Sequence, residues 1–272
     1  MEHNIVMLSI DKLVDFSDHP YKVLDDEAMD ELCESIRTVG VLVPIIVRTA
    51  EDGRYEIISG HRRKRACERE GIGIIPAVIA KLNDDEAAIL LVDSNLHREN
   101  ILPSEKAYAY KLKLDAMKHQ GKRDGTCGQF VHKSRDGVAQ FGESGRQVQR
   151  YIRLTELIFQ LLDKVDMKQI PVTAGAEVSH LDVRNQVMVN DVLDRECCGL
   201  SLHQAIKLKQ HYFDGTISEE KIADIITKNE QKDTGKVILQ YDRLRKYFPE
   251  HYTIKECEEA LWRILEAWFE KE

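Results

Sequence analysis

The feature that most constrains this chain is the run Ser59-Gly60-His61-Arg62-Arg63-Lys64-Arg65-Ala66. It follows the apolar alternation Tyr55-Glu56-Ile57-Ile58 and precedes a helical pattern, so it reads as a strand passing through a glycine into the first turn of a helix. That turn exposes unsatisfied backbone N–H groups and carries a partial positive charge. Basic side chains added there suit the junction to phosphate oxygens. A basic run standing alone is more often a solvated helix start.

The 272 residues are enough for two or three domains, each with a core. With 32% charged and 43% hydrophobic residues the chain reads as globular and helix-rich. Its net charge of -8 means that any nucleic-acid contact must be a local patch. Cys33, Cys67, Cys127, Cys197, Cys198 and Cys257 show no C-x-x-C spacing, and the adjacent Cys197-Cys198 pair does not suit zinc, so reduced thiols of a cytosolic protein are expected. Met1-Glu2-His3-Asn4 lacks a cationic start, and no stretch reaches 18 unbroken apolar residues. Neither export nor membrane spanning is expected.

Val6 to Leu13 alternates like a half-buried strand. A helix follows from Glu27, with Met29, Leu32, Ile36 and Val39 at helical spacing, Asp25 and Asp26 near its start and Gly40 after its end. Val43–Val47 and Tyr55–Ile58 flank Asp52-Gly53, a hairpin signal. The basic run opens the helix from Gly60 to Glu70, Ile74 to Ile79 reads as a strand, and Asp84-Asp85-Glu86 starts a helix toward Asn95.

Three segments in this order, Gly40-Val41-Leu42-Val43-Pro44-Ile45, Gly60 to Ala66, and Asn95-Leu96-His97-Arg98-Glu99 with Leu102, Pro103, Glu105 and Ala107, resemble the ParB family of chromosome and plasmid partition proteins. That family carries G-x-x-x-P-I, G-x-R-R-x-R-A and E-N-x-x-R motifs that together bind the triphosphate of CTP with Mg²⁺. The resemblance implies that Gly40 and Gly60 allow close backbone approach and that Arg62, Arg63 and Arg98 contact phosphate. Pro44, His61, Arg65 and Ala66 belong to the same nucleotide-binding set, and Asn95 would help hold the metal. Ser94 stands where the family has Glu, without the negative charge a hard cation favours. Asp93 lies about 100° away on a helix, so the departure bears on metal-assisted hydrolysis more than on nucleotide binding. His19-Pro20-Tyr21 also departs from the family's N-P-x-Q-P-R pattern.

Pro103 to His119 reads as a helix, followed by a glycine-broken connection from Gln120 to Gly128. Gly137 to Ile152 then has helix-turn-helix spacing: Val138 and Phe141 on a first helix, Gly142 at the turn, Ser144 as N-cap, Val148 and Tyr151 packing the second. Arg146, Gln147, Gln149, Arg150 and Arg153 point outward, and arginine and glutamine pair with guanine and adenine edges. From Ser104 to Glu156 eleven Lys/Arg stand against six Asp/Glu, a local basic patch in an acidic chain.

Short helices are expected at Ile158–Leu162, Glu177–Leu181 and Arg184–Leu193 with a break at Pro171, and Ser201-Leu202-His203-Gln204 is a capping-box pattern. Asn229 to Lys236 reads as a linker before Val237–Tyr247. Cys257, Leu261, Ile264, Leu265 and Trp268 form an apolar helical stripe that packs either on the body of the chain or on a second copy.

The expected fold is an α+β N-terminal domain of the ParB/sulfiredoxin-like type (1–98), an all-α helix-turn-helix DNA-binding domain (99–200) and a helical C-terminal region (201–272) suited to dimerisation. The resemblance implies a cytoplasmic, nucleoid-associated homodimer on double-stranded DNA, gated by CTP, with a ParA-type ATPase as partner. Two alternatives stay open: a transcriptional regulator of the same family without CTPase activity, and a phosphotransferase or nuclease of the wider superfamily. Sulfiredoxin places a reactive cysteine in a G-C-H-R motif; here that position is His61 and the nearest thiol is Cys67. His61 and His97 also invite an acid/base role.

Overall fold

The computed structural model describes residues 4–17, 19–50, 52–96, 98, 101–123, 143–227, 253 and 259–263. The first compact unit comprises residues 1–228.

It begins with strand β1 (Ile5–Ser9), one 3₁₀ turn (Ile10–Lys12) and β2 (Leu13–Asp15). The single strand expected from Val6 to Leu13 is thus two. Ile10 N–H donates to Gly73 O across the bend (3.0 Å), which brings Ile10 and Leu13 into the core. With β3 (Ile45–Thr49), β4 (Tyr55–Ser59) and β5 (Ile74–Ile79), they form one sheet in the order β1-β5-β3-β4-β2. The two edge strands are joined by only three residues. Five flat strands would put their edges roughly 19 Å apart, whereas a three-residue 3₁₀ turn spans about 6 Å, so the sheet curls toward closure.

Side-chain alternation gives the sheet two packed faces. Ile45, Val47 and Ile57 face a core with Met29, Cys33 and Ile36 of α1 (Glu27–Val39) and Ala66 and Cys67 of α2 (His61–Arg69). Ile46 and Ile58 face the opposite way, toward α3 (Asp84–Asn95) and α4 (Pro103–Arg123), where Ala87, Ala88, Leu91, Val92, Ala109 and Ala116 pack. The starts of α1 and α3 are capped by side chains: Asp26 accepts from Met29 N–H, and Asn83 and Glu86 form a reciprocal capping box. Helix α4 outruns its expected end at His119 and continues through Gly121 to Arg123. One glycine costs a helix only about 1 kcal/mol.

The remaining helices are α5 (Gly145–Leu154), α6 (Phe159–Asp166), α7 (Val172–Val178), α8 (Val183–Arg195), α9 (Leu202–Phe213) and α10 (Glu219–Thr227). They share a core of Leu154, Leu161, Val165, Ala174, Val189, Leu193, Ala205, Leu208 and Ile222. The helix expected at Glu177–Leu181 lies earlier, because Pro171 starts α7 and Asp182 caps α8, leaving residues 179–181 for the turn. The Ser201/Gln204 capping box forms as the spacing indicates.

The architecture is therefore an α+β domain followed by helices. The expected first helix of the helix-turn-helix, with Val138, Phe141 and Gly142, lies outside the described residues, as do Gly125 to Gly128, His97, the expected linker at 229–236 and Val237–Tyr247. Of the C-terminal stripe, residues 259–263 are described and helical. Among the described residues, no helix is long and apolar enough to cross a membrane.

Candidate functional site

Gly60 is the N-cap of α2, in a left-handed conformation (φ 115°). A Cβ there would stand 2.4 Å from Ile45 Cγ2, so the residue must be glycine for space as well as for angle. The close approach drops the first turn of α2 against β3. Gly40, at φ 74°, ends α1 and leads into the loop that reaches Pro44. Arg63 closes over that loop, donating from Nη1 to Val43 O (2.5 Å) and Pro44 O (2.7 Å). Burial lowers its pKa, and its two carbonyl partners make it a clamp on the Gly40–Pro44 loop.

The other basic residues of the run are paired as well. Arg62 Nη2 lies 3.3 Å from Asp26 Oδ1, Lys64 Nζ 3.1 Å from Asp15 Oδ1, and Arg65 Nη2 2.7 Å from Asp25 Oδ2. The run is an ion-pair ladder rather than a freely solvated cluster. The Arg98 guanidinium stands over the Tyr21 ring at 5.8 Å. Burial lowers the pKa of Arg98, and repulsion from Arg62 adds to it, which places two guanidinium charges where an anion would relieve both.

Beside them, Asp15, His19, Tyr21, His61 and Lys64 line a cavity of about 250 Å³. His61 is 6% exposed, and its ring lies 3.8 Å from that of His19. Burial, reinforced by His19, brings the His61 pKa down to about 3, and burial also lowers His19. Both rings are therefore neutral near pH 7, which argues against an acid/base pair there. Among the described residues, His19 Nε2, Tyr21 O–H and His61 Nε2 are buried with no hydrogen-bond partner. Such groups are costly unless a ligand or water satisfies them. Ala66 lies under this turn, fully buried in the sheet core.

Asn95 is buried, its amide donating to Leu91 O (2.8 Å) and Ser94 Oγ (3.2 Å). Ser94 Oγ donates to Leu91 O, and Asp93 pairs with Lys113 of α4. No group of three or more His, Cys, Asp or Glu among the described residues is placed to hold a metal. A magnesium site wants at least one carboxylate beside the phosphates, and Asp93, the nearest carboxylate to Asn95 in sequence, is committed to Lys113. Among the described residues, those around Asn95 do not fit a protein-held Mg²⁺.

Spacing alone missed two features. Glu105 accepts from Lys22 N–H (2.8 Å) and Leu102 N–H (3.0 Å), fastening the His19–Lys22 loop to α4 from 83 residues away. Lys113 is 1% exposed. A signal for it existed: it lies on the same face of α4 as Ala109 and Ala116, where a lysine needs a buried partner.

The second site is the outer face of α5. Ser144 caps it through Gln147 N–H, and Val148 is buried against Tyr110 of α4, whose ring meets Tyr151 edge-on at 5.7 Å. This packing leaves Arg146, Gln149 and Arg150 exposed, with Gln147 half-buried and 3.5 Å from Arg150 Nη1. Arg153 turns inward instead, donating to Ser179 Oγ (3.2 Å) and Ser179 O (3.1 Å). Helix α4 thus touches both sites: Ala109 and Ala116 pack in the sheet domain, Tyr110 on α5.

A curled α+β sheet with an arginine-rich helix start, joined by one long helix to an all-α bundle, is the class of protein defined here. A sequence profile of the ParB N-terminal domain matches residues 1–96. A probable chromosome-partitioning protein ParB of Neisseria meningitidis serogroup A is 33% identical over 230 residues, covering 80% of this chain and 78% of the relative. The chain belongs to the ParB family. A nucleoid occlusion protein of a Geobacillus species is 42% identical over 108 residues, 40% of this chain and 38% of that protein. Among solved structures, C-terminally truncated ParB from Caulobacter crescentus, complexed to the centromeric parS site, covers 75% of this chain and 98% of its own, with 21% identity and a TM-score of 0.45.

Proposed function

We propose that this protein is a partition protein that reads a DNA site with α5 and switches its hold on DNA by binding CTP at the first turn of α2. The observation that carries the nucleotide reading is Arg62 in the first turn of a helix whose N-cap glycine admits close approach, with Arg98 over Tyr21 near enough for the two charges to repel. Gly40, Pro44 and Arg63 shape the loop alongside, while the unsatisfied His19, Tyr21 and His61 groups offer polar contacts in the adjoining cavity. Arg146, Gln147, Gln149 and Arg150 are the base- and phosphate-contacting set on α5, with Ser144 at its N-terminus. Helix α4 supplies a route for coupling, since a shift at the sheet domain must move Tyr110 against Val148 or strain the packing between them.

The structure of the 93–95 segment favours a switch that binds CTP without a protein-held magnesium and without hydrolysis. The relatives' names support partition or nucleoid occlusion. A nucleoid-associated, cytoplasmic homodimer with a ParA-type ATPase as partner belongs to the same proposal through the family resemblance of the motifs. The test is recovery of bound DNA from cells followed by retention on that DNA with both ends blocked, with and without CTP, alongside phosphate release. The expected result is enrichment of a short palindromic site, CTP-dependent accumulation and no phosphate release. Absence of any sequence-specific enrichment would overturn the proposal.

A further inference from the structure

The cations of α2 that a phosphate would use are already occupied by carboxylates from one short segment. Asp26 Oδ1 serves twice, capping α1 through Met29 N–H (2.9 Å) and meeting Arg62 Nη2 (3.3 Å). Asp25 takes Arg65 through two contacts (2.7 and 3.2 Å) and lies 3.7 Å from Arg69 Nη1. The Arg65 hydrogen bond holds the Asp25 carboxyl below its ordinary pKa, so it is charged at neutral pH. The segment that carries both acids, Tyr21 to Asp26, has no regular secondary structure and is fastened at its other end by Lys22 N–H on Glu105. Its Val23 and Leu24 side chains remain exposed, so little burial holds the strap between those two points.

We propose that Asp25 and Asp26 are a built-in counter-anion for α2: they hold Arg62 and Arg65 until phosphate arrives, and phosphate exchanges these ion pairs and loosens the stretch from Val23 to Asp26 beyond the Lys22 anchor. The proposal rests on the reading of α2 as a phosphate site. Because Asp26 also caps α1, loss of the Arg62 pair loosens the entry into that helix without removing its cap. Binding and release are reciprocal, so any partner that fixes the segment on α2 weakens anion binding by the same factor with which the anion weakens that partner. Both pairs are partly exposed, and pairs of this kind change an equilibrium constant by a few-fold each.

The experiment compares the full chain with Asp25→Asn/Asp26→Asn, using inorganic triphosphate and CTP as probes in calorimetry, with hydrogen exchange of residues 19–26 as a second readout. Asparagine keeps the cap on α1 while removing the charge. Glu34→Gln, which takes one charge from Arg37 on the far end of α1, is the control. The expected result is about three- to tenfold tighter binding of both probes to the double variant, unchanged binding to Glu34→Gln, and faster exchange at 19–26 when triphosphate binds the unaltered protein. Equal or weaker binding by the double variant would overturn the counter-anion while leaving α2 a phosphate site. Failure of the unaltered protein to bind either probe would overturn both.

Discussion

Gly60 stands so close to Ile45 that a Cβ on it would lie 2.4 Å from Ile45 Cγ2 and 2.9 Å from Ile45 Cβ. The contact fixes where a strand ends and a basic helix begins. Replacing Gly60 by alanine combines an unfavourable positive φ with overpacking against a buried isoleucine, and is expected to cost about 2–4 kcal/mol. Gly53, also at positive φ but with nothing within 4 Å of its notional Cβ, should cost only about 1 kcal/mol when changed to alanine. Urea unfolding midpoints of the two variants check the difference.

Arg62 and Arg63 are neighbours with different duties. Arg63→Ala removes a charged donor from two backbone carbonyls and should lower stability by about 1.5–3 kcal/mol. Arg62→Ala loses only a partly exposed pair and should change stability by less than about 1 kcal/mol while abolishing phosphate affinity. Thermal melts set beside nucleotide titrations separate the two.

On α5 the same contrast holds between Arg150 and Arg153. Arg150→Ala should leave the melting temperature unchanged and weaken DNA binding, lowering the slope of log affinity against log salt by about one if it meets a phosphate. Arg153→Ala should lower stability first, because it unfastens α5 from Ser179. Equal stabilities of the two variants would contradict this assignment.

How much of this was legible in advance differs by element. Strand-to-helix junctions, the hairpin at Gly53, the caps at Ser144 and Ser201 and the outward Arg146, Gln149 and Arg150 on α5 follow from short-range patterns, and the structure carries them, whereas Arg153, expected outward with them, turns in to Ser179. The bend at Ile10 was not legible, since alternation continues through it and only the distant Gly73 carbonyl accounts for the break. The same limit hid the ion-pair ladder on α2. A run of four basic residues looks solvated until the acids of residues 15, 25 and 26 are folded against it, and those contacts span 36 to 49 positions. Asp93 illustrates the converse: helical geometry already turned it away from Asn95, and Lys113 is what it turns toward.

The neutral, buried His61 makes stability depend on pH. Its folded pKa of about 3 lies below the ordinary value of 6.5, so the unfolded chain binds the proton more tightly. Its contribution is complete above pH 6.5 and is lost as pH falls toward 3. Between pH 7 and pH 5 the loss should be about 2 kcal/mol, and His61→Gln should flatten the profile over that interval. Denaturant titrations at a series of pH values read it directly.

The central claim, that α2 binds a nucleotide through converging arginines, is tested most directly by calorimetric titration of CTP, with ATP and GTP as controls, into the unaltered protein and into Arg62→Ala and Arg98→Ala. Selective CTP binding that falls at least tenfold in each variant, with melting temperatures preserved, is the result expected. Absence of nucleotide binding by the unaltered protein, or undiminished binding by both variants, would contradict it.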